Sequence, residues 1–230
     1  MQIIRMYMRA KYVALAIIVL GALGALIAIR RQSVVRPTTD DRLAVVATFY
    51  PLAEFAKQVG GERVTVTTLT PAGVEPHDFE PTPKAIAHAY AADVFIYNGG
   101  GVDAWAAAVA ESIRERGVRI LEMTPLMGTP LSATEEDEAF DEHFWLSPML
   151  AQRQVEAIRD AFIASDGAHE AEYRTRAETY IAELATLDRE YQSGLRSCAI
   201  RTAVTAHAAF AYLAREYQFT QLAITGLSPD

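Results

Sequence analysis

Three of the five histidines in the sequence share one position in the local pattern, because each lies between a strand-like run and a helix-like run. These are His77, His143 and His207, whereas His88 and His169 lie within helical stretches. Neutral imidazole is the commonest metal ligand in proteins, and several imidazoles that converge on one point bind a borderline cation such as Zn²⁺. The pattern therefore predicts one metal site that is assembled from three distant parts of the chain.

Three histidine ligands are compatible with two kinds of site. A tetrahedral zinc site is closed by a fourth ligand, whereas a site with three protein ligands can hold an activated water, as in a zinc hydrolase or lyase. The enzyme would need a general base, and the sequence contains no His-Glu-x-x-His or similar pairing. Asp78, Asp141 and Glu142 are candidates to orient the imidazoles. A binding site is therefore favoured over a catalytic one, and we expect no enzymatic activity.

Charge is divided unevenly along the 230 residues. The first 36 carry six basic side chains and no acidic one, so the remaining 194 carry 15 basic and 29 acidic side chains, a formal charge of −14. A nucleic-acid-binding protein shows the opposite sign, so we expect no nucleic-acid partner. Negative potential raises the local concentration of cations, and the composition is therefore compatible with a cation-handling protein.

The segment Tyr12–Ile29 contains no charged residue and is nearly all apolar. As a helix it would be about 27 Å long, close to the ~30 Å hydrocarbon core of a bilayer. We expect an uncleaved membrane anchor, with a cleaved signal peptide as the alternative. Equal numbers of basic residues flank the segment, so its orientation is not predicted. The single cysteine, Cys198, excludes an internal disulfide and is expected to be buried at the start of a strand.

Strand-like and helix-like runs alternate in the part of the chain that contains the first predicted ligand. Strands are predicted at Leu43–Phe49, Val64–Leu69, Val94–Tyr97 and Val118–Glu122, and helices at Leu52–Val59, Pro83–Ala91 and Ala104–Arg116. The glycine-rich stretch Asn98–Gly101 lacks the spacing of a phosphate-binding loop and is interpreted as a plain strand-to-helix turn. Repeated strand and helix units predict a mostly parallel sheet that is covered on both faces.

The stretch Ser147–Arg196 is nearly continuous helix, with a break at Ser165–Gly167. Its second part carries an apolar stripe about eight turns long, which is long enough to link two lobes. A strand, a helix and a strand then follow at Ala199–Thr205, Ala208–Tyr217 and Leu222–Thr225. These three elements are too few to close a hydrophobic core, so we expect a truncated second lobe.

These patterns divide the chain into four parts. Residues 1–42 are expected to be a signal or anchor segment and tether, and residues 43–146 an N-terminal α/β lobe. Residues 147–197 are expected to form a helical linker region, and residues 198–230 the incomplete start of a C-terminal α/β lobe. The predicted fold class is therefore α/β, with two lobes joined by a long helix.

Five motifs of the sequence occur in the order of a known protein family. They are Gly73–Pro83, Asp93–Gly99, His143–Pro148, His207–Ala214 and Gly226–Pro229. Together they closely resemble the zinc and manganese solute-binding proteins of bacterial metal ABC transporters. The resemblance implies two α/β lobes joined by one long rigid helix, with a Zn²⁺ or Mn²⁺ ion between the lobes. It also implies that the ion is delivered to a membrane permease on the outer side of the cytoplasmic membrane. It also implies that His77, His143 and His207 are the ligands and that the protein is a monomer.

The sequence departs from this family in two places that bear on the site. The family's fourth ligand lies beyond the Gly-Leu-Ser-Pro motif and therefore beyond Asp230, so we expect an incomplete site in this chain. Asp141-Glu142-His143 stands where the family usually has Asp-Pro-His, and the loop before it is acidic where many members are histidine-rich. Three nitrogens and one oxygen suit Zn²⁺ but do not exclude Mn²⁺. A metal-binding surface adhesin would share the same ligands and is the alternative to a transport protein.

Overall fold

A computed structural model describes residues 41–128 and 141–225. The predicted membrane segment Tyr12–Ile29, most of the acidic loop before Asp141 and the final Gly226–Pro229 motif lie outside the described residues. Within the described ranges no helix is long and apolar enough to cross a membrane. Residues 42–128 and 141–225 group into one compact unit.

Four short strands form a parallel sheet. They are β1 (Leu43–Ala47), β2 (Val64–Thr68), β3 (Val94–Tyr97) and β4 (Arg119–Glu122). The order across the sheet is β2-β1-β3-β4, and all three neighbouring pairs are parallel. Every residue of the central strand β3 is buried, as expected for a parallel strand that is covered on both faces. The predicted parallel sheet is therefore confirmed.

Six α-helices accompany the strands in the described part of the chain. They are α1 (Tyr50–Gly60), α2 (Pro83–Ala91), α3 (Trp105–Arg114), α4 (Pro148–Ser165), α5 (Glu170–Arg196) and α6 (Ala211–Tyr217). One of the first two residues of each of the helices α1, α2 and α4 is a proline. Its missing N–H costs nothing there, because the first N–H groups of a helix have no partner within the helix. These prolines explain why the starts of α2 and α4 agree with the prediction.

The two faces of the four-stranded sheet pack against different helices. Val45 and Ile96 point to the face that is covered by α1, α4 and α5. Their neighbours Val46 and Phe95 point to the opposite face, which α2 and α3 cover. Successive residues of a strand alternate between faces, so strands with continuous apolar runs build two cores at once. The prediction that both faces are covered is confirmed.

The helix α5 is the longest element, with 27 residues and a length of about 40 Å. Its first half packs on α1 and α4 through the buried residues Tyr173, Ala177 and Leu184. Near its end Tyr191 stacks on Tyr217 of α6, with ring centroids 5.1 Å apart. A single turn of 3₁₀-helix separates α4 from α5 at the predicted break. The predicted long helix is confirmed.

A second, two-stranded parallel sheet follows α5. Its strands are β5 (Thr202–Thr205) and β6 (Thr220–Ala223), with α6 between them. Val204 and Leu222 point away from α6, and 65% and 57% of their surfaces are exposed. Cys198 is exposed, so the prediction that it is buried in a strand is wrong. The reason is that α5 continues to Arg196 and β5 begins only at Thr202, which leaves Cys198 in the connection.

Thr82 caps the N-terminus of α2, since its Oγ1 accepts a hydrogen bond from the backbone N–H of Ala85 at 3.2 Å. We expect Thr82→Ala to lower the free energy of unfolding by about 1 kcal/mol, because this N–H loses its partner. Urea denaturation measures the change. Thr82→Ser keeps the hydroxyl and should remain close to the wild type, so an equal loss in both variants would contradict a capping role.

Candidate metal centre

Each of the three predicted ligands is positioned by a different connection of the fold. His77 lies in the loop between β2 and α2, and His207 lies between β5 and α6. His143 lies between β4 and α4, directly before a single 3₁₀ turn, Phe144–Leu146. Ligands of parallel α/β sheets collect where strands end and helices begin, because the connecting loops converge there. The structure brings all three histidines together, His77 and His143 from connections of the four-stranded sheet and His207 from a connection of the two-stranded sheet.

The imidazole nitrogens converge closely. One nitrogen from each of the three rings lies within 4.8 Å of the other two. The Nε2 atoms of His77 and His143 are 3.2 Å apart, and the ring of His207 lies 5.2 Å from that of His143. Two nitrogens that each bind a tetrahedral zinc ion at ~2.0–2.1 Å are about 3.3 Å apart. The Nε2 atoms of His77 and His143 therefore already have the spacing of two zinc ligands.

Asp141 fixes the ring of His143. Its Oδ1 accepts hydrogen bonds from Nδ1 of His143 at 2.8 Å and from the backbone N–H of His143 at 2.9 Å. Both side chains are buried, with exposures of 0% and 2%. A proton on Nδ1 leaves the lone pair on Nε2, which is the atom that faces His77. Asp141 thus holds His143 in the tautomer that a metal ion requires.

Hydrogen bonds from α6 connect the His207 region to the His143 region. The hydroxyl of Tyr212 donates to the backbone carbonyl of Asp141 at 2.8 Å. The hydroxyl of Ser147, which caps α4, lies 2.7 Å and 2.8 Å from the two carboxylate oxygens of Glu216. Because α6 follows the His207 loop, these contacts fix the distance between two of the three histidines. The sequence marked Ser147 as a helix start, but nothing in it pointed to Tyr212 or Glu216.

The surroundings of two of the histidines favour the neutral ring. Burial lowers the pKa of His77, and the nearby His143 lowers it further. Burial also lowers the pKa of His207, again with a contribution from His143. Because only the unprotonated ring can bind a metal ion, a lowered pKa leaves both side chains ready for binding at neutral pH.

The loop after β3 supports the His143 segment from the other side. The side-chain amide of Asn98 donates to the backbone carbonyl of Glu142 at 3.0 Å. The next residue, Gly99, has a φ of 82°, and a Cβ there would lie 2.8 Å from Oγ1 of Thr124. Only glycine fits that position, so the Asn98–Gly101 stretch is a tight turn whose first residue holds the metal-site segment in place.

The fold and the cluster together define a class of protein: a parallel α/β protein with a long helix and a nitrogen-rich cluster at its strand ends. The family described as the periplasmic component A of the zinc-uptake complex matches residues 45–230. The chain belongs to this family, as the sequence motifs predicted.

Two relatives illustrate the similarity. The chain is 38% identical over 203 residues to the zinc-binding lipoprotein AdcA of Streptococcus pneumoniae, an alignment that covers 83% of this chain and 40% of that protein. It is 37% identical over 201 residues to the high-affinity zinc uptake system protein ZnuA of Bacillus subtilis, with 83% and 63% covered. The chain thus spans less than two thirds of the length of either relative.

Solved structures show the same architecture. Zn(II)-bound AdcA from Streptococcus pneumoniae superposes with a TM-score of 0.73 at 38% identity, over 82% of this chain and 40% of that one. The metal-dependent lipoprotein YcdH from Bacillus subtilis gives 0.74 at 38% identity, over 82% and 69%. A laminin-binding adhesin from Streptococcus agalactiae gives 0.75 at 31% identity, over 81% and 70%.

Proposed function

We propose that the chain is an extracytoplasmic solute-binding protein that captures Zn²⁺ and delivers it to the permease of an ABC transporter. The observation that carries this proposal is the convergence of His77, His143 and His207 within 4.8 Å. The family to which the chain belongs and the zinc-binding relatives support the choice of zinc.

The chemistry of the ligands favours Zn²⁺ over Mn²⁺ as the transported ion. Imidazole nitrogens suit zinc, whereas manganese prefers carboxylate, carbonyl and water oxygens. The Oδ1 atom of Asp141 accepts the Nδ1 proton of His143, so this oxygen lies behind the imidazole. The residues that converge are therefore nitrogen donors.

We further propose that the four-part division of the chain is functional. Residues 43–146 would form the first lobe, 147–197 the helical linker and 198–230 the start of the second lobe, with residues 1–42 as the anchor and tether. His77 and His143 then come from the first lobe and His207 from the second. An ion that binds all three holds the lobes together, and the contacts of Tyr212 and Ser147 described above act across the same boundary.

The protein would act as a monomeric carrier rather than as an enzyme. A carrier needs a site that binds and releases an ion, and the described residues supply ligands and orienting carboxylates for that purpose. A surface adhesin is the second candidate, and the similarity to the laminin-binding adhesin favours it. We place transport first because the relatives with higher identity are zinc-uptake and zinc-binding proteins.

We expect zinc binding to weaken between about pH 7.5 and about pH 5, because protons and the ion compete for the same imidazole nitrogens. Burial lowers the pKa of His77 and His207, which favours the neutral rings near pH 7.5, and protons compete with the ion at these two rings only as the pH falls towards the lowered values. Isothermal titration of the full-length chain with Zn²⁺ at both pH values tests the proposal. Mn²⁺ in parallel titrations should bind more weakly, and equal zinc affinity at the two pH values would contradict a histidine site.

A further inference from the structure

Glu142 precedes His143 in the sequence, but its carboxylate faces a different histidine. Its Oε1 lies 3.7 Å from Nδ1 of His77, and the side chains are only 6% and 10% exposed. At this distance the carboxylate lies beside the neutral ring without forming a hydrogen bond to it. The adjacent residues Asp141 and Glu142 therefore contact two different rings. Asp141 contacts His143, and Glu142 lies beside His77.

Whether the two rings can bind one cation together depends on which nitrogen of His77 carries the proton. Asp141 holds the proton of His143 on Nδ1, so Nε2 of His143 carries a lone pair. Nε2 of His77 is 3.2 Å away. If the proton of His77 is on Nε2, the two rings form a hydrogen bond with each other, which an incoming ion must break. If it is on Nδ1, two lone pairs converge on the same point and a cation is the natural occupant.

We propose that Glu142 is a positioning residue that selects the second arrangement. Its carboxylate attracts the proton of His77 to Nδ1, so that both Nε2 atoms present lone pairs to one cation. This inference rests on the proposed function, since it concerns the same site. A carboxylate behind a metal-binding imidazole fixes the tautomer and strengthens the ligand.

The surroundings of Glu142 support this role, because they fix its backbone and leave space for its carboxylate. The backbone carbonyl of Glu142 accepts the hydrogen bond from Asn98. A Cβ at residue 101 would lie 2.7 Å from Oε1 of Glu142, so the absence of a side chain at Gly101 leaves the space that the carboxylate occupies. The turn after β3 thus accommodates both the backbone and the side chain of Glu142.

The charges of the site with a divalent ion bound are also consistent with the proposal. Three neutral imidazoles leave the two positive charges of a divalent ion uncompensated. Asp141 and Glu142 place one carboxylate behind each of two ligands. An ion at Nε2 withdraws electrons from the ring and makes its Nδ1–H a stronger donor, so the contact between His77 and Glu142 should shorten when the ion binds.

The test is the tautomer of His77 in the metal-free, full-length chain with ¹⁵N-labelled histidine. Long-range ¹H–¹⁵N correlation spectra at about pH 8, above the histidine range, distinguish protonation at Nδ1 from protonation at Nε2. We expect Nδ1–H in the wild type and a shift towards Nε2–H in Glu142→Leu. Zinc affinity in Glu142→Leu should fall by about 10- to 100-fold.

Two further variants make the result specific. Glu142→Gln keeps an acceptor oxygen and should restore part of the Nδ1–H population and of the affinity. Glu80→Leu is the matched control, because Glu80 is an exposed carboxylate in the same loop as His77 and should change neither quantity. A wild-type His77 with its proton on Nε2 overturns the proposal, as does Glu142→Leu with an unchanged tautomer. If the wild type fails to bind zinc, the proposed transport function is lost, and the tautomer still decides the role of Glu142.

Discussion

His143→Ala is expected to weaken zinc binding by more than about a hundredfold, because a lost ligand costs more than a lost orienting partner, for which 10- to 100-fold is typical. His143 occupies the centre of the cluster, with its ring 5.2 Å from the rings of both His77 and His207. Without it the two remaining rings are 6.1 Å apart and lack a nitrogen between them. Competition with a chromogenic zinc chelator measures the loss.

The control for this variant is His88→Ala, since His88 is exposed on α2 and lies outside the cluster. Its zinc affinity should equal that of the wild type. His143 is buried, so its replacement also leaves a cavity, and circular dichroism must show that the variant is folded. His207→Ala gives an independent check because His207 is less buried and should also weaken binding strongly. Wild-type affinity in a folded His143→Ala protein would exclude His143 as a ligand.

The parts of the fold that the sequence predicted well are those governed by local signals. The bounds of α2 and β3 agree with the prediction, because Pro83 starts α2 and a short apolar run defines β3. The common location of the three histidines was also predicted, because each follows a predicted strand and precedes a predicted helix, although the connections come from two separate sheets. Their function as ligands stays a prediction.

The parts that the sequence did not predict depend on contacts between distant residues. The hydroxyl of Tyr212 bonds to a carbonyl 71 positions away, and Ser147 meets Glu216 across 69 positions. No periodicity or motif encodes such a pair, because it arises only when α6 packs beside the start of α4. The approach of Glu142 to within 3.7 Å of His77 has the same origin, because these two residues are also distant in the sequence.

The side chain of Asp103 makes another set of contacts that the sequence did not predict, with residues that follow the strands β1 and β3. Its buried carboxylate accepts hydrogen bonds from the hydroxyl of Thr48 at 2.6 Å and from the backbone N–H groups of Asn98 and Gly99 at 2.7 Å and 2.9 Å. Thr48 follows β1 and Asn98 follows β3, so the carboxylate joins the ends of the two central strands. Burial raises the pKa of Asp103, and these three hydrogen bonds oppose the increase.

We expect Asp103→Ala to lower the free energy of unfolding by about 3–5 kcal/mol, because it leaves three buried donors without an acceptor. Guanidinium denaturation of the metal-free chain measures the change. Glu111→Ala removes an exposed carboxylate and should cost less than about 0.5 kcal/mol. Zinc affinity should fall less than in His143→Ala, because the hydrogen bonds of Asp103 reach Thr48, Asn98 and Gly99 rather than a histidine. A variant as stable as the wild type would show that water satisfies these donors and that the turn after β3 holds the metal-site segment without Asp103.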